Sequence, residues 1–304
     1  MIRKALEQDT TEIRELWKEC FPKDDPRYVE FYFKTYYKPE DTFVALEDGK
    51  IQAALIRTRH DLMFNGRVLQ ASMIKAIPGV SGERRSKSMD ELMDIVLDAC
   101  SHSELVTLAD ADQADLYESF GFRRIYRRCE YTLQRSDVKR ITNFGCAYEP
   151  TPIDLLKVYS NYIKRFNGFY ARDLAYFVAF KKQITSTGGK IVAYYNGRNQ
   201  IQGYAVMRPE GNELIGDEIV YLDSMSLFKL CNACLQEKRI IKLRVSEAEN
   251  LSKLFPEARV RYYDSTMARI NEKDLFMRLF SRRIATVEDA FAISRRPLNL
   301  NENR

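Results

Sequence analysis

Residues 42–77 carry three apolar, strand-like runs parted by two short turns, which constrains the chain more than any other feature. TFVALED passes through Gly49-Lys50 into KIQAALIRTRHDLMF, and Asn65-Gly66 then leads into RVLQASMIKAI. An Asn-Gly pair tolerates positive φ, the backbone demand of a tight hairpin. The spacing therefore predicts three consecutive antiparallel strands. A loop, PGVSGERRSKS, opens a helix in which Met89, Leu92, Met93, Val96, Leu97 and Cys100 line one face, with Ser88 and Glu91 reading as a capping box.

The flanks complete an alternating pattern. Residues 2–6 read as a strand, and Asp9 with Glu12 as another capping box. Ile13, Leu16, Trp17, Cys20 and Phe21 form a helical stripe that Pro22 ends, and residues 28–37 give a second, aromatic-rich helix. Beyond the main helix, LVTLAD reads as a buried strand, ADLYESF as a short helix and RRIYRRCEYTLQ as a closing strand. The order over residues 1–135 is strand, two helices, three antiparallel strands, helix, strand, helix, strand.

A chain of 304 residues exceeds one ordinary core and points to about two domains. After a polar connection at 136–150, Pro152 stands at a first helical position, with Leu155, Leu156, Tyr159, Tyr162, Ile163 and Phe166 as the apolar face. A helix near 172–182, a strand pair around Asn196-Gly197, EIVYLD, a helix from SMSLFKLCNACLQEK, IIKLRV and YYDSTMARI follow. This repeats the later element order of the first stretch, in order rather than identity. The expected organisation is 1–135, 141–280 and an irregular tail at 281–304.

Composition excludes several classes. With 48 basic and 43 acidic residues intermixed, no nucleic-acid partner is expected. No apolar run approaches the roughly 18–20 residues that cross a bilayer, so no membrane association and a cytoplasmic location are expected. The six cysteines are scattered, as suits reduced core thiols; Cys231 and Cys234 share a helical stripe with Leu227 and Leu230. Only His60 and His102 are histidines, which leaves little scope for a zinc site or a serine triad, and no metal is expected.

IRELWKECF, FYFKTYY, AIPGVSGERRSKSMDELM, LYESFGF and STMARI, in this order and spacing, resemble the GNAT superfamily, and more narrowly the tandem-GNAT acetyltransferases of the Eis-like (enhanced intracellular survival) type. The resemblance implies a mixed α+β fold of two tandem GNAT-like domains, each a mixed, mostly antiparallel sheet flanked by helices. It implies an N-acetyltransferase in which a primary amine, on a small molecule or a peptide, attacks acetyl-CoA. Such proteins often assemble, so a homo-oligomer is implied as well, although the residues themselves leave the state open.

In the family, a loop at a helix start cradles the cofactor pyrophosphate with backbone N–H groups, where the helix dipole favours an anion. The matching segment is Arg84, Arg85, Ser86, Lys87, Ser88 and Met89, and Ile77 and Gly79 stand where the preceding strand meets the cofactor arm. Lys87 and Met89 replace two small residues of the family pattern, and Pro78 removes a backbone donor. Tyr117 matches the family's tyrosine, an acid suited to a leaving thiolate. The α-carboxylate of Arg304 matches the family's base, although relatives carry an additional sterol-carrier-like domain before that terminus. In the second stretch, YLDSMS has neither glycine nor arginine, so no cofactor is expected there.

Other readings stand beside these. A solvated basic loop would also explain Arg84 to Lys87, and a packed core aromatic would explain Tyr117. The altered loop leaves open a catalytically degenerate GNAT-fold binding or scaffold protein. Arg123, Arg124, Arg127 and Arg128 suit an exposed or domain-facing strand better than nucleic acid, and His60 reads as a surface strand residue rather than a base, with nothing acidic to orient it.

Overall fold

The structure, a computed structural model, describes residues 1–79 and 86–301. Besides short 3-10 turns, the chain first forms β1 (Ile2–Lys4), α1 (Thr10–Cys20), α2 (Pro26–Thr35), β2 (Thr42–Glu47), β3 (Lys50–Phe64) and β4 (Arg67–Ile77). Next come α3 (Lys87–Ser101), β5 (Val106–Asp110), α4 (Ala114–Glu118), β6 (Arg123–Gln134) and β7 (Cys146–Tyr148). Then follow α5 (Pro152–Tyr162), β8 (Phe169–Tyr170), α6 (Leu174–Ser186), β9 (Lys190–Tyr195), β10 (Ile201–Glu210) and β11 (Glu213–Tyr221). The series ends with α7 (Ser224–Glu237), β12 (Ile240–Ser246), β13 (Arg259–Ile270), α8 (Lys273–Phe280) and α9 (Val287–Ala292). No helix among the described residues is long and apolar enough to cross a membrane.

Two compact units result. The first joins Met1–Ile125 to Asp264–Ser294, and the second joins Tyr126–Tyr263 to Arg295–Arg304. These differ from the continuous stretches 1–135 and 141–280 expected from the sequence, and two strands account for it. β6, expected to close the first sheet, pairs through Arg128 to Gln134 with β12. β13 supplies Thr266 to Ile270 as the antiparallel neighbour of β5. Each sheet is thus completed by the strand that chain order assigns to the other. Patterning reveals which face of a strand is buried, but its neighbour is a non-local choice.

In the first unit the strand order is β1-β2-β3-β4-β5-β13, antiparallel throughout except for the parallel β4/β5 pair. Helices cover both faces. Ala54 and Ile56 pack with Ile13, Trp17 and Val29 of α1 and α2, whereas Ala53 and Leu55 pack with Met89, Leu92 and Val96 of α3. A strand buried on both faces must be apolar at successive positions, which explains the run in β3. The second unit has the order β6-β12-β11-β10-β9-β7, with β11/β12 as its parallel pair, and its core joins α5, α6 and α7 through Leu155, Phe177, Leu227 and Cys231.

Local expectations fared unevenly. Asn65 and Gly66 form the foreseen turn, both with positive φ. The first tight turn is instead Asp48-Gly49, also with two positive φ values, because Glu47 pairs with Lys50. The connection at 196–200 is wider than two residues: Asn196 N–H donates to the Gln200 carbonyl and Asn199 carries the positive φ. Asp9 makes no cap bond on α1; it pairs with Arg3, and Glu12 accepts the N–H of Ile51. The tail is not wholly irregular, since Thr286 and Asp289 build a reciprocal capping box on α9 and Phe291 packs on Phe64.

Helix α3 is capped by Ser86 rather than by Ser88, its hydroxyl accepting the N–H of Met89 at 3.2 Å. Ser88 lies already inside the first turn, so its hydroxyl cannot serve the N3 amide. Ser86→Ala should lower stability by about 1 kcal/mol in urea titrations. An unchanged midpoint would remove the hydroxyl from the account of this helix start.

Candidate active site in the first unit

The β4/β5 pairing runs from Ala71 opposite Val106 to Ile74 opposite Ala109. β4 then continues to Ile77 without a β5 partner. At this parting, the Ala76 N–H donates to the Tyr117 hydroxyl at 3.0 Å, and that hydroxyl donates to Gln113 Oε1 at 3.3 Å. Tyr117 is fully buried, its ring tilted against Phe122. Burial pushes the phenol well above its ordinary range, offset in part by the Ala76 N–H. A phenol so placed keeps its proton and acts as a donor, not as a base.

Strand alternation decides which amides face this parting. Gln70, whose carbonyl accepts the Leu105 N–H, shares its parity with Ala76. The next position of that parity is Pro78, which has no N–H. Ile77 turns its amide the other way, toward β3, and buries its side chain with Ile13 and Ala54. Gly79 has φ +85, and a Cβ there would lie 2.0 Å from the Gln52 carbonyl oxygen. Its glycine therefore serves close approach to the stretch containing Gln52. Of the two strand positions expected to meet the cofactor, neither provides the amide at the parting; Ala76 does.

The start of α3 lies one short connection beyond β4 in the chain. Its first amides, Lys87 and Ser88, have no intrahelical acceptor by the geometry of any helix. Lys87 is 92% exposed in its side chain and faces Glu91 at 3.9 Å. Met89 is wholly buried in the core under the sheet. Lys87 thus lies in solvent beside Glu91, and Met89 is spent on the core. Arg84 and Arg85 lie outside the described residues, as does Arg304; residues 297–301, which lead to Arg304, belong to the second unit.

The second unit shows a contrasting helix start. Asp223 caps α7 with its carboxylate, accepting the Ser226 N–H at 2.7 Å. That negative charge occupies the position where an anion would bind, whereas Ser86 is neutral.

Other expectations resolve simply. Cys231 and Cys234 are buried core thiols on α7, with burial pushing both up. Arg123 pairs with Glu288, Arg124 with Glu118 and Asp264, and Arg127 with Glu247, while Arg128 donates to the carbonyls of Asp217 and Arg244. Gln113 was missed by sequence reading, although its position four before Tyr117 was the available signal. Ala76 carried none, because its contribution is main-chain.

His60 on β3 has its imidazole pushed down to about 4 by burial. Its unfolded value is higher, about 6.5, so the unfolded chain binds more protons between those values. The associated stability is complete above pH 6.5 and is lost as the pH falls toward 4. His60→Asn should flatten that part of the stability profile in denaturant titrations. An equally steep acid limb in the variant would assign the loss to other groups.

Comparisons with known proteins accord with this geometry. The family model described as Acetyltransferase (GNAT) domain matches residues 1–125. No curated protein sequence matches the chain. Among solved structures, a conserved protein of unknown function from Enterococcus faecalis V583, titled "Probable N-Acyltransferase", aligns with TM-score 0.74 at 17% identity, covering 90% of this chain and 72% of that one. Eis1 from Mycobacterium abscessus aligns with TM-score 0.70 at 15% identity, covering 91% and 75%. A tandem GNAT protein from the clavulanic acid biosynthesis pathway aligns with TM-score 0.57 at 12% identity, covering 90% and 99%. The chain thus has a mixed α+β fold, a mixed sheet flanked by helices, in common with these structures, and its residues 1–125 match the model of the GNAT domain.

Proposed function

We propose that this chain is a cytoplasmic N-acetyltransferase of the Eis-like type, transferring an acetyl group from acetyl-CoA to a primary amine at its first unit. The observation that carries this reading is the meeting of the Tyr117 hydroxyl and the Ala76 N–H where β4 and β5 part. The GNAT match over residues 1–125 supports acyl transfer as the reaction class.

In this reading acetyl-CoA is held at its two ends. Ser86, Lys87 and the opening amides of α3, with Arg84 and Arg85, would hold the pyrophosphate, favoured by the helix dipole and unpaired N–H groups. Ala76 and Tyr117 would hold the thioester end. Acetyl-CoA, when bound, supplies an acyl group activated by a thiol leaving group. Tyr117 keeps the proton on its hydroxyl oxygen, and Gln113 aims that hydroxyl, so the phenol is the acid. The second unit is read as a degenerate copy, since the Asp223 carboxylate already caps its corresponding helix start. The acceptor is an amine rather than a nucleic acid, and assembly into a homo-oligomer accompanies the reading.

Pro78 favours a second reading, a GNAT-fold binding or scaffold protein, because it offers no N–H at the position of Ala76's parity that follows it. Titration calorimetry with acetyl-CoA separates the two. The enzyme reading expects dissociation in the roughly micromolar to millimolar range typical of enzyme substrates. No heat at millimolar cofactor would favour the binding-protein account.

A further inference from the structure

Residues 297–301 cross the second unit as an extended segment. Asn167 donates its N–H to the Pro297 carbonyl and accepts the Asn299 N–H, each at 2.9 Å, forming a parallel bridge centred on Leu298. Ser246 Oγ donates to the Leu298 carbonyl at 3.0 Å, and Asn301 Nδ2 donates to Glu218 Oε2 at 3.2 Å. Arg172 donates to the Asn301 carbonyl, and Asn299 Nδ2 lies 3.4 Å from the Tyr162 hydroxyl. β11 and β12 are last paired at Gly216 and Leu243. The segment therefore joins the two strands beyond their parting, reaching Ser246 on one and Glu218 on the other.

The receiving surface is built from its own contacts. Arg172 holds both oxygens of Glu218, and Tyr204 donates to the same carboxylate, all without the segment. Arg172 is further clasped between the rings of Tyr159 and Tyr176. At Gly168, with φ +64, a Cβ would lie 2.7 Å from the Tyr126 hydroxyl and 2.9 Å from Leu298 Cδ2, so glycine leaves room for both side chains. Main-chain pairing combined with buried side-chain donors and acceptors at alternate positions is how an extended peptide is recognised.

We propose that the second unit contains a peptide-binding groove for an extended segment reading Leu-Asn-Leu-Asn, and that residues 298–301 are its resident ligand. Asn301 is the reading position, because its amide meets a buried carboxylate and its carbonyl meets a buried guanidinium. Leu300 is buried, and Asn299 is held by main-chain and side-chain bonds together.

The test uses the full chain with a protease site inserted between Arg296 and Pro297, folded first and cut afterwards. A labelled synthetic peptide of residues 297–304 is added, and fluorescence anisotropy is followed. The cut chain should take up the peptide saturably, and the uncut chain should not. A peptide carrying Asn301→Ala should bind about tenfold or more weakly, as expected for a lost hydrogen bond to a buried charge. Equal binding of the two peptides, or no exchange into the cut chain, overturns the proposal. Loss of folding when the peptide leaves also overturns it, since the segment would then be core rather than ligand.

Discussion

Arg172→Ala should lower the free energy of unfolding by about 3–5 kcal/mol, the cost typical of stranding one partner of a buried ion pair. Both side chains of the Arg172–Glu218 pair are 1% exposed, with nitrogen to oxygen distances of 3.1 and 2.9 Å. Removing the guanidinium leaves Glu218 with the Tyr204 hydroxyl and the Asn301 amide, neutral donors that cannot balance a full charge. The rings of Tyr159 and Tyr176 lose their cation as well, at 4.6 and 4.7 Å. Guanidinium chloride titrations would read the effect. The double change Arg172→Met with Glu218→Gln should recover much of it, because no buried charge then lacks a partner. A loss under about 1 kcal/mol for Arg172→Ala would mean that water reaches the pair, contrary to its burial.

Tyr117→Phe should have two separable consequences. Deleting the hydroxyl strands the buried Ala76 N–H, which costs about 1–3 kcal/mol of stability. It also removes the acid, and loss of a general acid lowers turnover by about 10²–10⁴-fold. The decisive measurement pairs calorimetry with acetyl-CoA against turnover over a panel of amines. Cofactor binding that persists while turnover collapses assigns the proton to Tyr117. Unchanged turnover would refute that assignment and leave Tyr117 as packing beneath the sheet. Because burial raises the phenol, turnover should show no decline from tyrosine ionisation below about pH 10, the ordinary phenol value.

The candidate site was legible in part. Tyr117 was singled out by its place in LYESFGF, and a helix after the loop by the apolar stripe from Met89 to Cys100. Backbone contacts to the cofactor arm were expected at Ile77 and Gly79, whereas the amide that meets Tyr117 is that of Ala76, because side-chain identity says nothing about which way an N–H points. Only the register of β4 against β5 settles that parity. The cap was placed two residues late for a related reason. Ser86 and Ser88 are equally good capping residues, and the chain's entry angle selects between them.

Periodicity and turn chemistry were enough for the local properties. These include the three-strand run over residues 42–77, the apolar stripe of α3 and the buried cysteines of α7, while the mixed α+β class came with the family resemblance. Tertiary structure alone decided that β6 pairs with β12, that β13 pairs with β5, and that residues 297–301 settle against Asn167, Ser246 and Glu218. The physical reason is the same in each case. A strand's alternation specifies its faces, while its edges offer identical N–H and C=O groups to any neighbour, so the partner is selected only when both cores pack.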